Sequence, residues 1–216
     1  MYLKQIGFHV YLLIMGSAEL FFLNMGLSYT LSKVVAYLLF PILGFLVWLI
    51  IKKWIKGSVL RITALVVLCL GFFFSYFLQH PIYEGDFSNN STLVQMKSEL
   101  DDIKTDKLVV ISIPNCPFCQ ESILRMLAFQ KRHQKVRIEY RVCVNDSLTK
   151  DAVSFYRKML GNTIPVSKAK DVKRLAALAD MSFPTFVLVT KSRKIKWSND
   201  NFGVGALDEV VAAFEE

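Results

Sequence analysis

Apolar residues follow two different patterns along the chain. Over the first 80 residues they run almost unbroken, in stretches at 6–27, 34–51 and 59–78. Each is close to the roughly 20 apolar residues a helix needs to cross a bilayer. Seven charged side chains fall in this region: Lys4, Glu19, Lys33, Lys52, Lys53, Lys56 and Arg61. Glu19 and His9 interrupt the first stretch, the second carries no charge, and the third spans if Arg61 extends to the interface. Trp48, Trp54, Tyr76 and Tyr83 lie near the expected ends, where interfacial aromatics gather. The pattern predicts an α-helical transmembrane region over residues 1–79 with three spans. A cleaved leader ending at Met15-Gly16-Ser17-Ala18 fits less well, because the chain is apolar again after Ala18 and has a single Lys before it.

Beyond residue 80 the pattern shortens and alternates. Residues 80–104 read as a linker with Pro81, Gly85, Asp86 and the polar run Ser88-Asn89-Asn90-Ser91-Thr92, followed by a short amphipathic helix over Leu93–Ile103. Residues 105–216 form an α/β domain. Leu108–Ile113 is a continuous apolar run, expected of a strand buried on both faces. Cys119–His133 predicts a helix and Val136–Val144 a second strand. Thr149–Leu160 and Ser167–Ala179 predict two helices, Phe186–Thr190 and Lys194–Trp197 two strands, and Ala206–Phe214 a closing helix. Asn-Xaa-Ser/Thr triplets stand at Asn89, Asn90 and Asn145 and acquire meaning only in a eukaryotic secretory setting.

Composition agrees with two solvents. The chain is 53% hydrophobic with a mean hydropathy of +0.38, too apolar for a water-soluble domain of 216 residues. Lys52, Lys53, Lys56 and Arg61 crowd the second connection, whereas residues 79–96 hold Glu84 and Asp86 and no Lys or Arg. The positive-inside rule then puts the 52–61 loop and the N-terminus in the cytoplasm and the α/β domain outside, at a bacterial inner membrane. The net charge of +8 does not mark a nucleic-acid binder, since the basic residues are scattered and no basic helix or Gly-rich loop accompanies them. The lipid bilayer is the expected partner of the first region. Glu19 inside a span is costly and needs a partner or a task; Pro41 and Gly44 mark a kink or close packing.

The chemistry lies in Cys116-Pro117-Phe118-Cys119, where an apolar strand runs into a helix. That spacing places Cys116 at a helix N-terminus, whose free N–H groups and dipole favour a thiolate, and Cys119 one turn on, able to resolve a mixed disulfide. Pro117 suits the first turn. A zinc site would need two further ligands, and Cys143 and His133 do not form a second paired knuckle. A structural disulfide is the other alternative outside the cell. Cys143 reads as a small buried hydrophobe, and Cys69, amid Leu, Val and Phe, as a protonated and inert thiol.

Residues 107–216 resemble the thioredoxin superfamily, in the manner of membrane-anchored TlpA-like proteins of bacterial envelopes. The resemblance is carried by LVVISIPNCPFC, by LAALADMSFPTFVLV and by NDNFGVGALDEVVAAF. It implies a thioredoxin-like α/β fold with an extra helical insertion before the strand that follows Pro184. By position it implies Cys116 as nucleophile, Cys119 as resolving cysteine and Pro184 as a cis-proline, with Phe183, Pro117 and Phe118 against the substrate. The chain departs from the family in having Ser112-Ile113-Pro114-Asn115 before the first Cys, and Val110 where many members bury an Asp. A proton relay to Cys119 would then come from Glu121 or water.

The expected function is thiol–disulfide exchange on extracytoplasmic protein disulfides, in the reducing direction, by an enzyme whose redox group is its own cysteine pair. No cofactor motif is present, so electrons would pass to or from a membrane donor or acceptor, and the partners would be protein thiols and disulfides. Two alternatives belong to other classes: a non-catalytic adaptor or copper-delivering dithiol protein, and an electron-transfer membrane module using Glu19.

Overall fold

The computed structural model describes residues 18–87, 90–144, 149–161 and 163–215. The chain divides into two compact units, Met1–Tyr83 and Glu84–Glu216. Most of the first expected span, and the triplets at Asn89 and Asn145, lie outside the described residues. What is described of that span, residues 18–24, is helical and ends at Gly26, whose φ of +90° suits a residue without Cβ.

Two helices follow, α1 (Tyr29–Ile51) and α2 (Ser58–Gln79). Among the described residues these are the helices long and apolar enough to cross a membrane, with mean hydropathies of 2.7 and 2.1. The Ser28 side chain caps α1 by accepting from the Leu31 N–H. The helices meet where Gly44 lies against the backbone of Leu68 and Cys69; a Cβ there would come within 2.8 Å of the Leu68 carbonyl. Close backbone approach at a small residue is how apolar helices gain contact without a hydrophobic drive. Towards the other end of the pair, Tyr76 stacks on Phe40 at 4.3 Å and its hydroxyl donates to Glu19 at 3.0 Å. Glu19 therefore has a hydroxyl partner within its own unit. Leu38, Ile42, Val59, Val67 and Leu78 stay more than half exposed, so the apolar surface of this pair points outward.

The second unit is built on one mixed sheet. Its strands are β1 (Thr92–Leu93), β2 (Lys107–Ser112), β3 (Ile138–Val142), β4 (Val166–Lys168), β5 (Thr185–Val189) and β6 (Lys194–Ser198), in the order β1-β6-β5-β2-β3-β4. β2 pairs parallel to β3 and β3 to β4, while β5 and β6 run antiparallel. The parallel pair needs a crossover, which is α3 (Pro117–Arg132). The insertion before β5 contains α4 (Thr149–Leu160), β4 and α5 (Val172–Leu178), and α6 (Val204–Ala213) closes the unit. β2 is buried through Leu108, Val109, Val110, Ile111 and Ser112, as its unbroken apolar run requires. Val109 and Ile111 join Leu175, Leu178, Val187 and Val189 in one core layer. By strand alternation Leu108, Val110 and Ser112 face the opposite layer.

Two expectations are corrected. Leu93–Ile103 is not an amphipathic helix: Thr92 and Leu93 pair with Lys196 and Ile195 as an edge strand, and a single 3₁₀ turn follows at Glu99–Asp102. An eleven-residue helix is marginal alone. Here the open edge of β6 takes the first residues, Ser98 and Asp101 form a capping box, and Leu100 is the buried anchor. Ser167–Ala179 is not one helix either, because β4 extends the sheet along β3 and Asp171 caps the start of α5.

The 3₁₀ turn is stitched to the sheet by charge. Glu99 accepts from Arg141 at 2.7 Å and from the backbone N–H of Asp171 at 2.9 Å. Glu139, nearly buried, accepts from Lys107 at 2.6 Å, from Arg141 and from Ser167 at 3.0 Å. Burial alone would raise the Glu139 pKa, but the Lys107 hydrogen bond and the Arg141 charge outweigh it and hold it below the ordinary value of 4.5. A carboxylate whose folded pKa is depressed contributes stability that is complete above its unfolded pKa and lost as pH falls through the folded one. Glu139→Gln is expected to destabilise the folded chain by about 2 kcal/mol at neutral pH. That deficit should shrink steadily below the ordinary glutamate pKa, as read by urea unfolding of the detergent-solubilised chain across an acid pH series.

Candidate functional site

The site begins where β2 ends. Ser112, Ile113 and Pro114 lead to Asn115, which sits in the left-handed region at φ 56°. Asn tolerates that conformation better than most residues. The turn delivers Cys116 to the N-cap of α3, with Pro117 in the first turn, where its missing N–H leaves nothing unpaired. Tyr156 of α4 donates to the Ile113 carbonyl at 2.8 Å and holds the turn from behind.

Cys116 Sγ accepts the backbone N–H of Cys119 at 3.1 Å. Sulfur here occupies the place of a capping oxygen, at the positive end of a 16-residue helix. Cys116 and Cys119 form a disulfide with their Cα atoms 5.2 Å apart. Cys116 is 8% exposed and Cys119 0%, so an incoming thiol reaches only the first sulfur. Pro117 and Phe118 lie outside it on the solvent side, Phe118 at 59% exposure.

The second half of the site comes from the segment before β5. α5 ends in a pair of Schellman-type hydrogen bonds, Met181 N–H to Ala176 O and Asp180 N–H to Ala177 O, with Asp180 and Met181 both at positive φ. Lys196 pairs with Asp180 and donates to the Leu178 carbonyl at 2.8 Å, clamping this end of the helix. The chain then passes through Ser182 to the cis peptide between Phe183 and Pro184. The Phe183 carbonyl oxygen stands 3.7 Å from Cys116 Sγ. Pro184 is buried and Phe183 half-buried. Cys116, Cys119, Phe183 and Pro184 are thus gathered at one end of the sheet, with Pro117 and Phe118 beside them.

Other side chains singled out in the sequence lie elsewhere. His133 caps the far end of α3, and Cys143 packs with Ile111, Val187 and α5 in the opposite layer. Glu121 is on the solvent face of α3. On the inner side of that helix, Ser122 donates to the Cys119 carbonyl at 2.7 Å and lies 3.0 Å from the Tyr140 hydroxyl of β3. Tyr140 pairs in register with Val110, the position six before Cys116. The sequence carried no direct sign of Tyr140, because only strand pairing brings it under α3. Arg125, on the same helix, donates to the Phe202 carbonyl at 3.0 Å and lies over the stacked rings of Phe186 and Phe202. Burial pushes its pKa below the ordinary arginine value.

A parallel β–α–β unit joined to an antiparallel hairpin, with a disulfide at the N-terminus of the crossover helix and the Phe183 carbonyl before its first sulfur, decides the fold. The second unit is thioredoxin-like. No family model and no curated protein matches the chain. Among solved structures it is similar to a secreted disulfide oxidoreductase of Mycobacterium tuberculosis homologous to Escherichia coli DsbE, at 15% identity over 50% of this chain and 81% of that one, with a TM-score of 0.39. It is similar to DsbF of the same bacterium at 14% identity over 53% and 84%, with a TM-score of 0.41. It is also similar to apo Sco1 of Thermus thermophilus at 16% identity over 62% and 96%, with a TM-score of 0.37. The thioredoxin-like assignment rests on the topology and site geometry of the chain itself.

The environment separates the thiols. Burial, aided by the Glu99 charge, pushes the Cys143 thiol up to about 12, whereas Cys116 in its reduced form has a helix N–H to stabilise its thiolate. At neutral pH Cys143 is then thiolate in only about one molecule in 10⁵. Iodoacetamide added to the reduced native chain is expected to modify Cys116 first and leave Cys143 untouched, as read by peptide mass spectrometry over time. Labelling of Cys143 as fast as Cys116 would contradict this.

Proposed function

We propose that the chain is a membrane-tethered thiol–disulfide oxidoreductase that reduces extracytoplasmic protein disulfides through Cys116 and Cys119. The observation that carries the reading is the Cys116 sulfur at the α3 N-cap, bonded to Cys119 and facing the Phe183–Pro184 peptide. In the reduced enzyme the Cys116 thiolate attacks one sulfur of a client disulfide. A Cys116–client bond forms and the other client sulfur leaves with the electron pair. Cys119 then attacks Cys116 Sγ and releases the second client thiolate, its proton passing to a departing client thiolate. The client gains two electrons and the enzyme ends with the Cys116–Cys119 disulfide. A membrane donor of two electrons returns it to the dithiol.

Phe183, Pro117 and Phe118 are the client contacts in this reading, with the backbone before Pro184 pairing to an extended client segment. Charge asymmetry supports the orientation: Lys52, Lys53, Lys56 and Arg61 on the cytoplasmic side, and the thioredoxin-like unit in the periplasm. α1 and α2, with the apolar stretch before them, are the anchor.

Cys116→Ala is expected to abolish exchange on a model protein disulfide, and Cys119→Ala to accumulate a covalent client adduct that survives denaturing, non-reducing electrophoresis. In cells, acid quenching and mass-tagged alkylation in a Cys69→Ser, Cys143→Ser background should find the pair mostly reduced. A mostly oxidised pair would overturn the reducing direction, and full activity of Cys116→Ala would overturn the function.

A further inference from the structure

α5 runs for seven residues and ends without a glycine. The two residues that reverse the chain after it, Asp180 and Met181, have φ of 48° and 56°. Such an exit is the ordinary place of Gly or Asn, because any larger side chain crowds its own backbone carbonyl there. A residue kept in that region persists only where its surroundings over-determine it, and such positions gather at binding and catalytic surfaces. Here β5 and β6 supply the constraint. Lys196 pairs in register with Val187, on the face of the sheet that α5 covers, and its side chain is 17% exposed. Its ammonium donates to the Leu178 carbonyl at 2.8 Å and pairs with Asp180. Thr185 at the start of β5 donates to the Ser182 carbonyl at 2.5 Å, and the Ser182 N–H to the Ala179 carbonyl at 2.8 Å. The turn is thus fixed from two strands, yet Met181 is 72% exposed. An apolar side chain that exposed, on a backbone that disfavours it, gives the fold neither burial nor an easy turn. Its place explains it better: Met181 is two residues from Phe183, whose carbonyl stands before Cys116. Phe118, two residues after Cys116, is 59% exposed. Residues 114–118 and 181–184 include no charged side chain, and Lys196 meets the charge of Asp180.

We infer that Met181 is a specificity-determining contact for the client residues beside the attacked disulfide, that Lys196 is its positioning residue, and that the favoured client carries an apolar side chain next to its cysteine. The unbranched thioether adapts to apolar side chains of different shape, which suits a site that must accept more than one client. An acidic or strongly polar neighbour of the client cysteine would have to lose water against Met181 and Phe118 with no charge to meet it. Lys196 touches no client. It holds the Asp180–Met181 turn against the sheet, so that the side chain of Met181 is offered from a fixed backbone rather than from a loose loop.

This inference deepens the exchange reading and rests on it in taking Cys116 as the nucleophile. Its test uses the full-length, detergent-solubilised chain carrying Cys119→Ala and two short peptides, each with one cysteine joined to thionitrobenzoate. One peptide has Leu on both sides of the cysteine and the other has Ser. The Cys116 thiolate attacks the peptide sulfur, a Cys116–peptide bond forms, and thionitrobenzoate leaves with the electron pair and is read by its absorbance. The Leu peptide is expected to be captured about tenfold faster at low peptide concentration, the worth of burying part of an apolar side chain. Met181→Gly should bring that ratio close to one, while the chain unfolds at no lower temperature than its parent, since glycine relieves the turn. Lys196→Met should lower the ratio as well, and Lys196→Arg, which can still donate to Leu178 and pair with Asp180, should keep most of it. A ratio that survives Met181→Gly would overturn the inference, as would a parent chain with no preference. A loss shared equally by both peptides would mark damage to Cys116 and overturn it too. If the preference appears and depends on Met181 while the wild-type chain reduces no protein disulfide, the client reading fails and this inference stands.

Discussion

The junction at which β2 ends and α3 begins places everything at the disulfide end of the second unit. β2 is buried on both faces, so its register against β3 and β5 cannot slip by one residue without sending Val110 or Ile111 into the wrong layer. A strand held that firmly delivers its last residue to a fixed point. Asn115 then reverses the chain, and Cys116 arrives where α3 has an unpaired N–H to give it. The sulfur therefore both caps the helix and is tuned by it. The cap and the helix dipole are each worth about 1 kcal/mol, which is small beside the burial of β2 and dependent on it.

The facing element is held by different means. The segment before Pro184 follows a short helix whose end is fixed by Lys196 of β6, through Asp180 and the Leu178 carbonyl. β6 is in turn paired to β5, the strand that Pro184 opens. The Phe183 carbonyl is thus tied to the sheet on both sides. On the opposite layer, Glu139, Arg141, Lys107 and Glu99 bind the 3₁₀ turn and the β4–α5 connection to the strands. Such a network, mostly shielded from water, depends on all its members, because its charges cost desolvation that only mutual pairing offsets.

The apolar surface of α1 and α2 lies outward, unlike the buried core of the second unit, and the two helices pack by close backbone approach at Gly44. Backbone contact at a glycine needs no water to expel. The buried core of β2, by contrast, exists because water expels it.

Much of this architecture was legible in the chain. The unbroken run Leu108–Ile113, the helix from Pro117, and the hairpin over residues 185–198 all follow from local period and turn residues, which act within a few positions. Phe183-Pro184 and the Cys pair were recognisable as parts of one site. β1 and β4 were not legible, because an edge strand of two or three residues is made by the partner's free hydrogen bonds rather than by its own pattern. Glu121 looked as able to serve Cys119 as any neighbour until α3 turned it to solvent. Sequence alone therefore determined which segments pack and that Cys116 meets a helix N-terminus, since both are properties of contiguous residues. Only tertiary structure decided that Tyr140 and Ser122 lie behind Cys119 and that the Phe183 carbonyl stands before Cys116. Those contacts join residues 18 and 67 positions apart, and strand register sets them.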